Sequence, residues 1–106
     1  MDMDSILKRA QEFQYLMSKK QEELAVRTVT STVGGGMVTV IVNGKFEIVS
    51  LQIEKVAINP DEADMLQDLV VAAVNDAMRK AKEMTQAELA QLTGGLGLNI
   101  PGLFGR

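Results

Sequence analysis

The sequence predicts an α+β fold: a three-stranded antiparallel sheet flanked by an N-terminal helix and a long C-terminal helix, self-associating, with helical arms that protrude from the sheet. Three observations carry that reading. The run from Met37 to Ile53 is apolar and β-branched on both sides of Asn43-Gly44, which is the pattern of a hairpin. Apolar residues at helical spacing from Ser5 to about Leu24 predict the first helix. From Pro60 to about Leu92 no residue breaks a helix, which at ~1.5 Å per residue would be about 50 Å long; a compact domain of this size has a radius of gyration of about 13 Å, so the helix must project or be packed by a second subunit.

In the first helix Ile6, Leu7, Ala10, Phe13, Leu16, Met17 and Leu24 make one narrow stripe, with Asp4 or Ser5 as N-cap and a broad polar face between. Val26 to Val33 turns Val/Thr-rich, with Thr28, Thr30 and Thr32 on one side and Val29 and Val33 on the other, and reads as the first strand. Gly34-Gly35-Gly36 is a flexible turn into the hairpin. A two-residue type I′ turn at Asn43-Gly44 would set Ile41 opposite Phe46, Thr39 opposite Ile48 and Val38 opposite Val49. The strand from Met37 to Val42 is then apolar on both faces, and a chain of this length is short of material to cover both. Val38, Val40, Ile41, Val42 and Phe46 are therefore expected at a dimer interface.

Asn59-Pro60-Asp61-Glu62 has the form of a helix start, with Asn as N-cap, Pro at the first helical position and acids at the positive end of the dipole. Leu66 to Ala73 is apolar almost all round and reads as core, whereas after Asn75 the apolar residues narrow to Ala77, Met78, Ala81, Met84 and Leu92, as in an arm with an exposed face. Residues 1–93 are expected to form one α+β domain. Residues 94–106, rich in glycine with spaced Leu, Ile and Phe, are expected to be a flexible C-terminal tail or a segment that docks on a partner.

With no cysteine and no histidine among 106 residues, disulfides, thiol nucleophiles, most zinc sites and the usual neutral-pH general base are excluded. No catalytic residue, metal site or cofactor is predicted. Asp61, Asp64 and Asp68 could share a helix face, but no further ligand or glycine-turn loop accompanies them. Neither glycine cluster is followed by the Lys-Ser/Thr of a phosphate loop. The longest apolar run, Leu69 to Val74, is too short to span a bilayer, and a soluble cytoplasmic protein is expected.

The net charge of −3 weighs against a strongly nucleic-acid-binding chain, but its distribution is uneven. Glu54, Asp61, Glu62, Asp64 and Asp68 face only Lys55 in their segment, while Lys8, Arg9, Lys19, Lys20, Arg79, Lys80 and Lys82 lie on the two helices. Singly these are solvated helix faces; doubled about a twofold axis they could grip a duplex. A protein-interaction module, using exposed Leu and Met of the arms and tail to bind a protein partner, is the rival reading.

The order of segments closely resembles the bacterial YbaB/EbfC family over nearly the full chain. The resemblance rests on Gly34-Gly35-Gly36, Val40-Ile41-Val42-Asn43-Gly44, Met65-Leu66 with Asp68-Leu69-Val70, Ala72-Ala73, Asn75-Asp76-Ala77, and Pro101-Gly102-Leu103-Phe104. It implies a homodimeric, nucleoid-associated protein that binds double-stranded DNA without cofactor or enzymatic activity. The implied contacts lie on the protruding first and last helices, which here carry Lys8, Arg9, Lys19, Lys20, Arg79, Lys80 and Lys82.

Overall fold

A computed structural model describes residues 2–95; the tail expected at 94–106 therefore falls outside the described residues from position 96 onward. Helix α1, Met3–Val26, begins one turn earlier than expected because Asp2, not Asp4 or Ser5, is the N-cap: its carboxylate accepts the Ser5 amide at 2.8 Å. Strands β1 (Thr28–Val33), β2 (Val38–Asn43) and β3 (Ile48–Ile53) form one antiparallel sheet in that order. Asn59 caps a single 3-10 turn, Pro60–Glu62, by accepting the Asp61 amide, and α2 follows as Ala63–Gly95. The helix continues through Gly94 and Gly95, past the boundary expected at residue 93.

The core is the contact of α2 with one face of the sheet. Alternation along β2 directs Val38, Val40 and Val42 to that face, and they pack beneath Ala73, Ala77 and Ala81, all with no exposed surface. Alanine at each turn lets the helix backbone approach the strand closely, and Val29, Val33, Ile53, Leu66, Leu69, Val70, Val74 and Met78 close the margins. Val38, Val40 and Val42 thus serve the chain's own interior. The expectation that they meet a partner is corrected by this cover, which α2 supplies without a second subunit.

The opposite face also departs from expectation. Register places Thr30 and Thr32 of β1, Thr39 and Ile41 of β2, and Ser50 and Gln52 of β3 together there, so it is largely polar with Ile41 half-buried among hydroxyls. A Thr32–Thr39 hydroxyl pair at 3.2 Å crosses it. The apolar excess lies instead on β3. Leu51 and Ile48 pair with Val40 and Val42 on the helix side of the sheet, yet α2 lies over β1 and β2, leaving Leu51 41% and Ile48 47% exposed.

The hairpin turn differs from type I′. Asn43 and Gly44 both keep negative φ, and the loop is Gly44-Lys45-Phe46, closed by the Asn43 amide on the Glu47 carbonyl at 3.0 Å. Phe46 takes the left-handed position at φ 63°, and the Asn43 side chain accepts the Lys45 and Glu47 amides at 2.9 and 3.1 Å. A bulge between Ile41 and Val42 then shifts the pairing, so Val38 faces Ile53 rather than Val49. Glycine is needed at 44 for proximity. Its amide donates to the Leu24 carbonyl at 3.0 Å, and a Cβ there would lie 2.7 Å from the Leu24 carbonyl carbon.

That close approach fixes the end of α1 against the hairpin, so α1 leaves the sheet alongside the second half of α2, running in the opposite direction. The molecule is 70 × 24 × 16 Å, with a radius of gyration of 19.3 Å. Gly44→Ala is expected to force α1 off the turn and to destabilise the fold by about 1–3 kcal/mol, the usual cost of overpacking; thermal unfolding followed by circular dichroism measures it.

Candidate nucleic-acid interface

The arm is a two-helix seam. Leu24 is buried, Phe13, Met17 and Lys20 are partly covered, and on α2 Thr85 and Thr93 are buried. Glu88 joins the helices electrostatically: it accepts from Arg27 Nη1 at 2.6 Å and from Lys20 Nζ at 3.3 Å. Both cations, Arg27 foremost, hold the Glu88 carboxyl below its usual range, and Glu23 and Glu88 in turn raise Lys20.

A second network ties α2 to β1. The Ser31 hydroxyl, almost fully buried, donates to Asp76 at 2.7 Å, and Arg79 donates to the other carboxylate oxygen at 2.7 Å. These bonds, Ser31 first, lower the Asp76 pKa to about 2. Lys80 Nζ lies 3.6 Å from Asp76 and donates to the Thr30 carbonyl at 3.0 Å, while Arg79 also reaches Glu83 at 2.7 Å.

The expected DNA-contact residues therefore divide into two groups. Arg79 and Lys80 are held by Asp76 and Glu83, Lys20 by Glu23 and Glu88, and Lys19 lies 3.8 Å from Glu22 and stacks over the Tyr15 ring at 5.7 Å. Lys8, Arg9 and Lys82 have no carboxylate within salt-bridge distance among the described residues. Lys8 and Arg9 sit on the outer half of α1, and Lys82 on α2 one residue beyond the buried Ala81. The structure does not gather the seven into one patch.

Lys45 escaped the sequence reading, which took Asn43-Gly44 for its turn geometry alone. It stands in the loop at the foot of the arm, beside Gln21, Leu24, Phe46, Thr85 and Leu89, around a groove of about 340 Å³, and is likewise free of a carboxylate partner among the described residues. A cation at a hairpin tip was the available signal. The acids of residues 54–68 lie at the start of α2, at the other end of the sheet from the Leu24–Gly44 junction. No group of three or more acidic, His or Cys side chains able to hold a metal occurs among the described residues, and none of their helices is long and apolar enough to cross a membrane.

The fold and the arm together define a small α+β domain whose working surface is a helical projection rather than a pocket. The family model of the YbaB/EbfC DNA-binding family matches residues 1–96, and the chain belongs to that family. A nucleoid-associated protein of Desulforamulus reducens is 52% identical to it, covering 97% of this chain and 96% of the relative. One from a Thermoanaerobacter species is 48% identical, covering 97% and 91%. Among solved structures, an uncharacterized protein from Helicobacter pylori superposes with a TM-score of 0.81 at 26% identity, covering 89% of this chain and 99% of that one.

The Asp76 network has a pH signature. A carboxyl whose folded pKa is depressed to about 2 from an ordinary 3.8 binds fewer protons folded than unfolded, so its stabilisation is complete above about 3.8 and is lost as pH falls towards 2. Ser31→Ala removes the largest cause of that shift. Its acid-unfolding limb, measured by circular dichroism against pH, is expected to be shallower than that of the unsubstituted chain over this window.

Proposed function

We propose that this chain is a nucleoid-associated protein that acts as a homodimer on double-stranded DNA, in the cytoplasm, without enzymatic chemistry, and so influences nucleoid organisation or gene expression. The arm carries the reading. A pair of antiparallel helices held at a fixed angle to the sheet by Gly44, Glu88 and Asp76 presents long cationic side chains and no concave, chemically equipped site. Family membership and the names of the relatives support DNA as the ligand.

Lysine and arginine on helical arms suit phosphate oxygens, which position a protein on a duplex without reading its sequence. The free cations Lys8, Arg9, Lys82 and Lys45 are assigned the primary contacts. Lys19, Lys20, Arg79 and Lys80 contribute less, because each would exchange an existing carboxylate for a phosphate. With so few free charges, one arm binds weakly and two arms in one dimer bind usefully.

Dimerisation is assigned to the helix-side edge of β3, through Ile48 and Leu51 with Val71 of α2, all exposed in the single chain. Phe46, 47% exposed beside them in the sequence, extends that surface, and Ile41 adds to it from the other face. Burying such side chains stabilises association by about 25 cal/mol per Å² of apolar area before the cost of association.

Two measurements test these assignments. In sedimentation, Ile48→Glu with Leu51→Glu is expected to give a folded monomer by circular dichroism, whereas Val40→Glu should unfold the chain; a dimer that survives the first pair overturns the interface. In electrophoretic titration against salt, reversing Lys8 and Arg9 to Glu is expected to reduce the slope of log affinity by about 0.9 for each phosphate no longer neutralised. Neutralising Arg79 and Lys80 should change it less. Absence of binding even at low salt would overturn the DNA reading.

A further inference from the structure

The apolar stripe of α1 outlasts its partner. Positions 3, 6, 10, 13, 17, 20 and 24 repeat at alternating intervals of three and four, the spacing of a helix–helix seam, and here they are Met3, Ile6, Ala10, Phe13, Met17, Lys20 and Leu24. Cover falls away along it, from 5% exposure at Leu24 to 47% at Ile6 and 69% at Met3. The cause is length. Lys20 meets Glu88 at 3.3 Å, and α2 continues from there only to Gly95, a rise of about 10 Å, which brings its end abreast of Phe13. Met3 to Ala10 therefore lies on a bare helix with an unpartnered apolar side.

We propose that the chain supplies its own cover: residues 96–106 turn back from Gly95 along α1 and seat their apolar side chains on the stripe formed by Met3, Ile6, Ala10 and Phe13 of the same molecule. The geometry favours this occupant. The segment leaves α2 at the point where the seam loses its second wall, so the docked chain would continue an interface already built. Eleven residues reach at most about 36 Å when extended, and the stripe from Phe13 to Met3 is about 15 Å long, so the reach is ample. The composition fits as well: Leu96, Leu98, Ile100, Leu103 and Phe104 are spaced by Gly, Asn and Pro, and the only charged side chain before the terminus is Arg106 itself. An amphipathic helix draws most of its stability from packing of its apolar face, so the outer turns of α1 would be held by this contact.

The absence of cysteine makes the placement directly testable in the full chain. With Ile6→Cys and Leu98→Cys combined, a short bismaleimide is expected to give a cross-link within one chain, independent of protein concentration; Tyr15→Cys, on the far side of α1, should cross-link poorly to the same partner. Cross-links only between chains, or none, overturn the proposal. Hydrogen exchange gives a second readout that needs no cross-link. Leu98→Asp with Ile100→Asp and Leu103→Asp is expected to speed exchange of the amides of residues 7–13 by on the order of tenfold relative to the unsubstituted chain, with β2 amides unchanged. Equal exchange in the two proteins overturns it.

Discussion

The fold depends on the close approach of α2 to β2. Ala73, Ala77 and Ala81 recur every fourth residue, so the helix presents a shallow furrow into which Val38, Val40 and Val42 fit. A larger residue at any of the three would lift the helix from the strand, and the polar bonds that depend on that distance, Ser31 to Asp76 and Lys80 to Thr30, would lengthen with it. The arm is an extension of the same helix. Its direction is therefore set in the core, and the junction of Leu24 with Gly44 brings α1 into line with it.

This arrangement explains why a chain with few aromatic residues and a modest interior holds so elongated a form. Hydrophobic burial is concentrated where α2 crosses β1 and β2, while the seam farther out relies on a mixed set: Leu24, the Thr85 and Thr93 positions, and the Glu88 pairings. Exposed ion pairs of that kind contribute about 1 kcal/mol or less each, so the outer arm is the less stable part of the structure. A surface that must adjust to a ligand benefits from that gradient.

Much of the fold was legible in the sequence because periodicity alone separates the elements: the stripe of α1, the alternation of Thr and Val in β1, the Asn-Pro-Asp-Glu start and the unbroken run after it. The hairpin was legible as a hairpin but not in detail. Asn43-Gly44 looks like a two-residue turn, and only the approach of Leu24 from far away in sequence shows that glycine is required for space. The same limit affected the valines of β2. Apolar residues on β2 reveal burial but not what buries them, and α2 proved sufficient. In the site, basic residues can be counted from sequence, whereas which of them are engaged by Asp76, Glu83 or Glu88 depends on helix phase and on contacts across sixty residues and more.

The Lys80 ammonium on the Thr30 carbonyl has a meaning beyond local structure. It occupies a backbone acceptor on β1, an outer strand of the sheet, while β3 at the other side keeps its apolar side chains uncovered. The two margins of the sheet are therefore unlike, one guarded and one sticky. Two copies that meet at their sticky margins present only guarded ones to the outside, so growth stops at a pair and does not run on into a fibre.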